Sequence, residues 1–132
     1  MVLIKNLLVL ALPISATTTG CFKGGEFGSY GKWLKEIDDV IKQERLEVAC
    51  AMLAGDGKRK FKGHEERLFC MQEKDGLKWD FSLKYIRSGE RSIDKNECMS
   101  GMKKQIYCKY GGRTDYYNWQ YKADPNRGSC VG

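Results

Sequence analysis

The sequence predicts a small, disulfide-bonded α+β domain in which an antiparallel sheet packs with two helices. Three observations support this prediction: two segments with a helical spacing of apolar residues, two segments in which apolar and polar residues alternate, and six cysteines. The predicted elements follow in the order helix, strand, strand, helix, strand. That order is typical of α+β domains, in which helices cover an antiparallel sheet.

Residues 1–16 have the order of parts typical of a secretory signal peptide. A basic head precedes the apolar run Leu7–Leu12, and the small residue Ala16 follows it. The apolar run is much shorter than the roughly 20 residues that cross a bilayer. We therefore expect a signal peptide cleaved after Ala16, or as late as Gly20, and no transmembrane segment. The remainder, 17–132, is expected to form a single disulfide-rich secreted domain.

The first helix is predicted to begin near Ser29, because the residues that follow place apolar side chains on one face of a 3.6-residue helix. These side chains are Trp33, Ile37, Val40 and Ile41. Farther along, Val48, Ala51 and Met52 continue this face, whereas Leu46, Cys50 and Leu53 point elsewhere. The helix is therefore either buried on two sides or broken near Gln43, and Gly55-Asp56-Gly57 ends it.

Two strands are predicted to follow as a hairpin. The segment Lys78–Tyr85 alternates strictly, with Trp79, Phe81, Leu83 and Tyr85 on one face, which is typical of a half-buried strand. Asp75-Gly76 is a turn signal between this segment and a second candidate strand, Arg67–Gln72.

A second helix and a last strand complete the prediction. The helix is expected to run from Ser92 or Ile93 to about Cys108, with Cys98, Met102 and Ile106 on its buried face. Tyr116–Ala123 is predicted as one alternating strand, with Tyr117, Trp119, Tyr121 and Ala123 facing the core. Asp124-Pro125-Asn126-Arg127-Gly128 is expected to be a turn.

The even number of cysteines indicates three disulfides in a secreted chain. Six cysteines allow 15 pairings, and the sequence does not choose among them. The cysteines are Cys21, Cys50, Cys70, Cys98, Cys108 and Cys130. Cys21 and Cys130 stand near the two ends of the mature domain, so their bridges are expected to hold both termini. The chain has no C-x-x-C pair and a single histidine, so no metal site or cofactor is expected.

Catalytic motifs are not evident in the sequence, and we expect a protein that is not an enzyme. His64, Glu65 and Arg67 are the residue types that secreted fungal ribonucleases of the T1 type use. Adjacent strand residues point to opposite faces, however, so His64 would point away from the other two. A ribonuclease-like protein is therefore the third hypothesis, and nucleic acid is not an expected partner.

The formal net charge of +6 includes a basic stretch, Lys58–Lys62. Such a stretch binds phosphate groups, acidic polysaccharide or a membrane surface when it is not simply solvated. It supports the second hypothesis, a secreted fungal effector or toxin that acts on a host protein or membrane.

The aromatic residues near the C-terminus point to carbohydrate. If Tyr117, Trp119 and Tyr121 face the core, then Tyr116 and its alternate neighbours face outward. Aromatic rings have flat apolar faces and polar rims, which suit the apolar face and polar edges of a sugar ring. The predicted ligand-binding residues are Arg113, Asp115, Tyr116, Asn118 and Gln120.

The cysteine frame also carries a family resemblance over nearly all of the mature chain. The segments that carry it are Cys21-Phe22-x-Gly24-Gly25, Ala49-Cys50-x-x-Leu53, Trp79-x-Phe81, Ile106-x-Cys108 with Gly111-Gly112, and Asp124-Pro125-Asn126-x-Gly128-x-Cys130. With these segments, the chain resembles small secreted cysteine-rich fungal proteins of the glycan-binding Y3 family. The resemblance implies an α/β domain with an antiparallel sheet, and binding of fucosylated or N-acetylated glycans. The first hypothesis is therefore a secreted, non-enzymatic binding protein whose partner is an extracellular glycan or host surface molecule.

Overall fold

A four-stranded antiparallel sheet with two helices on one face forms the body of the domain in the computed structural model. The structure describes residues 20–28, 39–73 and 76–131. The predicted signal peptide over residues 1–16 and the predicted helix start near Ser29 lie outside the described residues. The predicted α+β class, with an antiparallel sheet and two helices, is confirmed.

The first helix, α1, covers Asp39–Ala54 and continues without a break past Gln43. Its buried residues are Leu46, Ala49, Cys50, Leu53 and Ala54, whereas Val48 and Met52 are more than half exposed. The prediction that Val48 and Met52 continue the buried face is therefore wrong. The reason is the disulfide between Cys50 and Cys98, which turns the Cys50 face of α1 toward the second helix.

The strands form one sheet and one short ribbon. They are β1 (Phe61–Lys62), β2 (Glu66–Gln72), β3 (Leu77–Tyr85), β4 (Glu90–Arg91), β5 (Gly112–Tyr116) and β6 (Trp119–Arg127). The sheet has the order β2-β3-β6-β5, and the ribbon pairs β1 with β4. The predicted β2–β3 hairpin is confirmed, with Phe69 opposite Phe81.

The core lies between the helices and one face of the sheet. Strand β3 contributes Trp79, Phe81, Leu83 and Tyr85, all buried as the alternation predicts. Directly opposite them, β6 contributes Pro125, Ala123, Tyr121 and Trp119 in that order. Burial of each large apolar side chain contributes roughly 1.5–3 kcal/mol, so this face holds the helices on the sheet.

The predicted single strand Tyr116–Ala123 is two strands. A two-residue turn at Tyr117 and Asn118 folds β5 back on β6, and Tyr116 lies opposite Trp119. Tyr117 has a positive φ of 54° and its side chain is 71% exposed. Its predicted place in the core is therefore wrong, while the predictions for Trp119, Tyr121 and Ala123 are confirmed.

The predicted turn over residues 124–128 is also wrong, because β6 runs through Pro125 to Arg127. Pro125 lies opposite Trp79 on β3. On its other side, the pairing with β5 ends where Gly112 lies opposite Ala123. Beyond that point β6 has a strand partner on one side, and such an edge segment tolerates a proline.

The second helix, α2, covers Lys95–Ile106 and begins slightly later than predicted. The Asp94 carboxylate caps it by accepting a hydrogen bond of 3.1 Å from the Asn96 backbone N–H. Cys98, Met102 and Ile106 are buried, as predicted.

All six cysteines form disulfides, which confirms the predicted number and supplies the pairing. The pairs are Cys21–Cys108, Cys50–Cys98 and Cys70–Cys130. The first joins the segment 20–28 to the end of α2, and the third joins the C-terminal segment to β2. Neither of the described helices has the length and apolar character needed to cross a bilayer.

Candidate functional site

Three loops meet at one end of the sheet and form the most distinctive surface of the domain. They are the turn Gly63-His64 between β1 and β2, the loop Ile86–Gly89 between β3 and β4, and the turn Tyr117-Asn118 between β5 and β6. We call this surface the three-loop end. Because the last residue of β3, Tyr85, lies opposite the first residue of β6, Trp119, the second and third loops emerge at the same end of the sheet.

Short contacts connect the three loops. The Ile86 backbone N–H donates to the Asn118 carbonyl oxygen at 2.9 Å, and the Arg87 guanidinium donates to the Tyr117 carbonyl oxygen at 3.1 Å. On the other side, Gly63 approaches the backbone so closely that a Cβ there would lie 3.0 Å from the Arg87 carbonyl oxygen. The three-loop end is thus a continuous surface.

Two exposed tyrosines stand at this end. The ring centroids of Tyr116 and Tyr117 are 4.5 Å apart, and the ring planes are inclined by 59°. The two side chains are 53% and 71% exposed. Large rings are usually buried, so two adjoining exposed rings are the kind of patch that marks a binding surface. We call Tyr116 and Tyr117 the aromatic pair.

A cleft of about 90 Å³ lies beside the aromatic pair, between α2 and β5. A cleft of this size has room for several waters or for a substituent of a bound ligand. Its lining combines apolar ring surface with hydroxyl, amide and charged groups. The lining residues are Glu97, Ser100, Gly101, Lys104, Gln105, Thr114, Tyr116 and Tyr121.

The polar groups of the cleft are held in place by neighbouring groups. The Thr114 hydroxyl donates to the Gln105 side-chain oxygen at 3.2 Å, and the Gln105 amide donates to the Gly101 carbonyl oxygen at 3.1 Å. The Lys104 ammonium lies 5.5 Å from the centroid of the Tyr116 ring, within cation–π range. Burial, and then the negative charge of Glu97, raise the pKa of Tyr121 above the ordinary value for tyrosine.

The structure separates the predicted ligand-binding residues. Tyr116 lies on the helix side of the sheet and lines the cleft, and Asn118 lies in the turn. Arg113, Asp115 and Gln120 lie on the opposite face, where the Gln120 amide donates to the Asp115 carboxylate at 2.9 Å. The prediction that Tyr116, Asn118 and Gln120 share one outward strand face is therefore wrong. The turn at 117–118 is the cause, because it places Tyr116 opposite Trp119 rather than in line with Gln120.

Sequence reasoning missed three residues that belong to this surface: Tyr117, Arg87 and Lys104. Tyr117 was assigned to the core by its alternation with Trp119. The adjoining tyrosine and asparagine were a usable signal, because asparagine is common in turns. A second signal, for Arg87, was the segment Arg87-Ser88-Gly89 after the buried strand β3. Its serine and glycine indicate a loop, and its arginine gives that loop a positive charge.

Two residues of the ribonuclease-like hypothesis, Glu65 and Arg67, are bonded to each other and to the backbone, whereas His64 is exposed in the turn before them. The Glu65 carboxylate accepts hydrogen bonds from the Lys62 backbone N–H at 2.8 Å and from Arg67 Nε at 2.9 Å. These two bonds, the backbone one first, hold the pKa of Glu65 below its usual value. Arg67 also donates to the carbonyl oxygens of Leu53 and Lys60, and it lies 3.6 Å from the Phe61 ring centroid. Arg67 therefore acts as a structural anchor of this loop.

The basic stretch 58–62 leads into the three-loop end. Lys58, Arg59, Lys60 and Lys62 are exposed, whereas Phe61 is buried with its ring centroid 5.0 Å from that of Trp119. The pairing of β1 with β4 places Arg91 opposite Phe61 and Glu90 opposite Lys62. The buried Phe61 thus holds the basic stretch against the sheet, beside the loop that carries Arg87.

Comparison with known proteins adds no relative from which a role could be transferred. No protein-family model matches the chain, and no curated protein matches it.

The three-loop end offers apolar ring faces, cations and hydrogen-bonding groups. This is the chemistry of a binding site for a polar ligand that also has an apolar face.

Proposed function

We propose that this protein is a secreted, non-enzymatic glycan-binding protein that holds a sugar on the aromatic pair. The observation that carries the proposal is the exposure of Tyr116 and Tyr117 in contact with each other, beside a cleft with polar groups. A sugar ring packs its apolar face on such a ring, and a substituent of the sugar enters the cleft. Thr114, Ser100 and Glu97 are the groups that would bond to that substituent.

The backbone conformation of Tyr117 supports a functional role. Its φ of 54° lies in the left-handed region, which costs an L-residue other than glycine about 1–2 kcal/mol. The exposed ring gains little from burial in return. Strain of this kind is concentrated at functional sites, where the side chain has a use that offsets its cost.

The secreted location rests on the disulfides together with the signal-peptide pattern. Three disulfides persist in oxidising environments, which are found outside the cytosol. The resemblance to the Y3 family of secreted fungal proteins points the same way and also supports the glycan. The proposal that the protein is not an enzyme rests on the engagement of Glu65 and Arg67 in holding their own loop.

The first test is a glycan-array screen of the secreted, oxidised protein with a heat-denatured control, followed by titration of the best glycan. Tyr116→Ala and Tyr117→Ala are each expected to weaken binding at least tenfold without unfolding the protein. Tyr107→Ala is the matched control, because Tyr107 is an exposed tyrosine at the end of α2 that does not line the cleft. A blank array, or equal affinity in all three variants, would refute the proposal.

A second candidate is a secreted effector or toxin that acts on a host protein or membrane. The exposed side chains of Lys58, Arg59, Lys60 and Lys62 favour it. Binding through them should weaken as salt is added, because exposed charges are screened. Salt-sensitive binding to vesicles that contain phosphatidylserine, together with a blank glycan array, would favour this candidate over the first.

A further inference from the structure

We infer that the glycan is acidic and that Arg87 binds its sulfate or carboxylate group beside Tyr117. This inference rests on the proposed glycan-binding function and specifies the class of ligand. Arg87 is exposed, and one of its terminal nitrogens is bonded to the Tyr117 carbonyl oxygen at 3.1 Å. A guanidinium has five N–H donors, so this bond fixes the position of the group and leaves donors for an anion.

Positive charge lies on both sides of the aromatic pair. Arg87 is bonded to the backbone of Tyr117, and the Lys104 ammonium lies 5.5 Å from the centre of the Tyr116 ring. A sugar packed on the aromatic pair would therefore have a cation at each end. Glu97 lines the cleft on the side of Tyr116, away from Arg87, which places the anionic group of the ligand on the Tyr117 side.

The surrounding loops add to this positive charge. Segments 58–67 and 86–91 together contain seven Lys and Arg residues and three Glu residues. Two of the three carboxylates are engaged: Glu65 is bonded to Arg67, and Glu66 accepts a hydrogen bond from the Ser82 hydroxyl. Glu90 lies opposite Lys62 in the pairing of β1 with β4. The local charge therefore attracts anions, and a basic surface of this kind raises the local concentration of an acidic ligand.

Backbone strain is concentrated in the same place. Among the described non-glycine residues, His64 and Tyr117 are the two with positive φ, at 63° and 54°. Both lie in the three-loop end, in two turns that contact the loop of Arg87. Glycine at these two positions would remove the strain. Its retention in two turns beside Arg87 supports a binding role for this surface, because backbone strain is concentrated at functional sites.

An acidic glycan fits this surface better than nucleic acid does. The three disulfides favour an oxidising environment outside the cytosol. The two ring planes are inclined by 59°, so one flat ring of a ligand can stack on only one of them at a time. Single-stranded nucleic acid instead requires a longer groove in which several bases stack in succession.

The test compares, by isothermal titration, a heparin hexasaccharide with its desulfated, N-acetylated and carboxyl-reduced counterpart, which carries no acidic group. The sulfated form is expected to bind at least tenfold more tightly in low salt, and this preference should fall as salt is added. Arg87→Gln should remove most of the preference. Arg127→Gln, a matched arginine at the far end of β6, should leave it unchanged. Lys104→Gln provides a second variant, with an expected loss of about threefold or more.

The outcomes separate the inference from the proposed function. Equal binding of the two sugars, with loss in Tyr117→Ala, would keep the glycan-binding function and overturn the acidic ligand. Binding of neither sugar, with a blank array, would overturn both. Tighter Arg87-dependent binding to a single-stranded RNA or to anionic vesicles than to the sulfated sugar would also overturn the inference. Loss of the preference in Arg87→Gln, with the preference kept in Arg127→Gln, would establish it.

Discussion

At the residue scale, Glu65 connects the stability of the domain to pH. Its carboxylate accepts one hydrogen bond from the Lys62 backbone N–H and one from Arg67. These bonds favour the charged form, so the pKa of Glu65 is lower in the folded protein than its ordinary value of 4.5. A carboxyl group with a depressed pKa stabilises the folded state above its unfolded pKa. That contribution is lost as the pH falls through its folded pKa.

We therefore predict that Glu65→Gln lowers the free energy of unfolding at pH 7. The difference from the wild type should become smaller as the pH falls below 4.5. Urea unfolding at pH 7 and at pH 3 measures the difference in free energy of unfolding from the wild type. Glu44→Gln, an exposed position on α1, is the control and should show a small difference at both pH values. A difference for Glu65→Gln that stays the same at pH 7 and pH 3 would contradict this assignment.

Tyr117 allows a second prediction, which concerns stability: here a glycine variant should be more stable than an alanine variant, the reverse of the usual order. In a regular element glycine is less stable than alanine by about 0.5–1 kcal/mol, because it loses more backbone entropy on folding. In the left-handed region alanine carries a cost of about 1–2 kcal/mol that glycine does not. Since Tyr117 has a φ of 54°, Tyr117→Gly should be more stable than Tyr117→Ala, by about 0.5–1 kcal/mol.

Thermal or urea unfolding of the two variants decides the order. Both variants lack the ring, so both should bind the glycan poorly, and the comparison isolates the backbone. If Tyr117→Ala were the more stable of the two, then strain would not support a functional role for this turn.

At the element scale, alternation predicted the buried faces of strands but not where a strand ends. Tyr117 precedes Trp119 by two residues, as it would in a continuous strand. The alternation of Trp119, Tyr121 and Ala123 therefore assigns Tyr117 to the same face, although it lies in the turn. The turn also contains no glycine. The β2–β3 hairpin was predictable because Asp75-Gly76 marks it and the alternation of β3 is complete.

The buried face of α1 could not be predicted from the sequence for a related reason. The spacing of its first half was extended to Val48 and Met52, although the tertiary partner of the helix is set by Cys50. The pairing of Cys50 with Cys98 is one of many that the sequence permits. The helix face could not be chosen before that pairing was known.

Helix α2 gives a prediction that opposes ordinary helix propensity. Glycine in a helix interior is usually less stable than alanine by about 1 kcal/mol. A Cβ at Gly101 would, however, lie 2.4 Å from two atoms of the Tyr121 ring, which is buried and has little room to move. Overpacking of this kind costs about 1–3 kcal/mol, so we expect Gly101→Ala to destabilise the protein.

The measurement is the free energy of unfolding in urea, with Ser100→Ala as the control. Ser100 is exposed on the same helix, so its replacement should be neutral or slightly stabilising. A stabilised Gly101→Ala would mean that α2 can move away from the sheet without cost.

At the scale of the whole molecule, the three-loop end is made by contacts between distant parts of the chain. Arg87 and Tyr117 are 30 residues apart, and a hydrogen bond joins them. The sequence could supply Tyr116 and Asn118 as candidates because aromatic and turn residues are visible locally. The charged loop of Arg87 is visible in the sequence, but its place beside Tyr117 is not. That place follows from the pairing of β3 with β6, and the sequence did not determine the sheet order.

The three disulfides close loops of 87, 48 and 60 residues. In the chain-entropy description, stabilisation grows with the logarithm of loop length, so each disulfide contributes about 4–5 kcal/mol. Loop length therefore predicts almost the same stabilisation for all three. Burial differs much more: both sulfurs of Cys50–Cys98 lie in the core between α1 and α2, whereas Cys21 is exposed and Cys130 is partly so. The loss of core packing, rather than loop length, should therefore decide which disulfide matters most.

We predict that the double variant Cys50→Ala with Cys98→Ala is the least stable of the three pairwise replacements. It should be lower by at least about 1 kcal/mol, because a cavity remains where the buried sulfurs were. Urea unfolding of the three double variants ranks them, and circular dichroism shows which retain helix. If the variant that lacks Cys21–Cys108 is instead the least stable, loop closure outweighs core packing. The apolar contacts between α1 and α2 would then hold the two helices together with little help from the Cys50–Cys98 bridge.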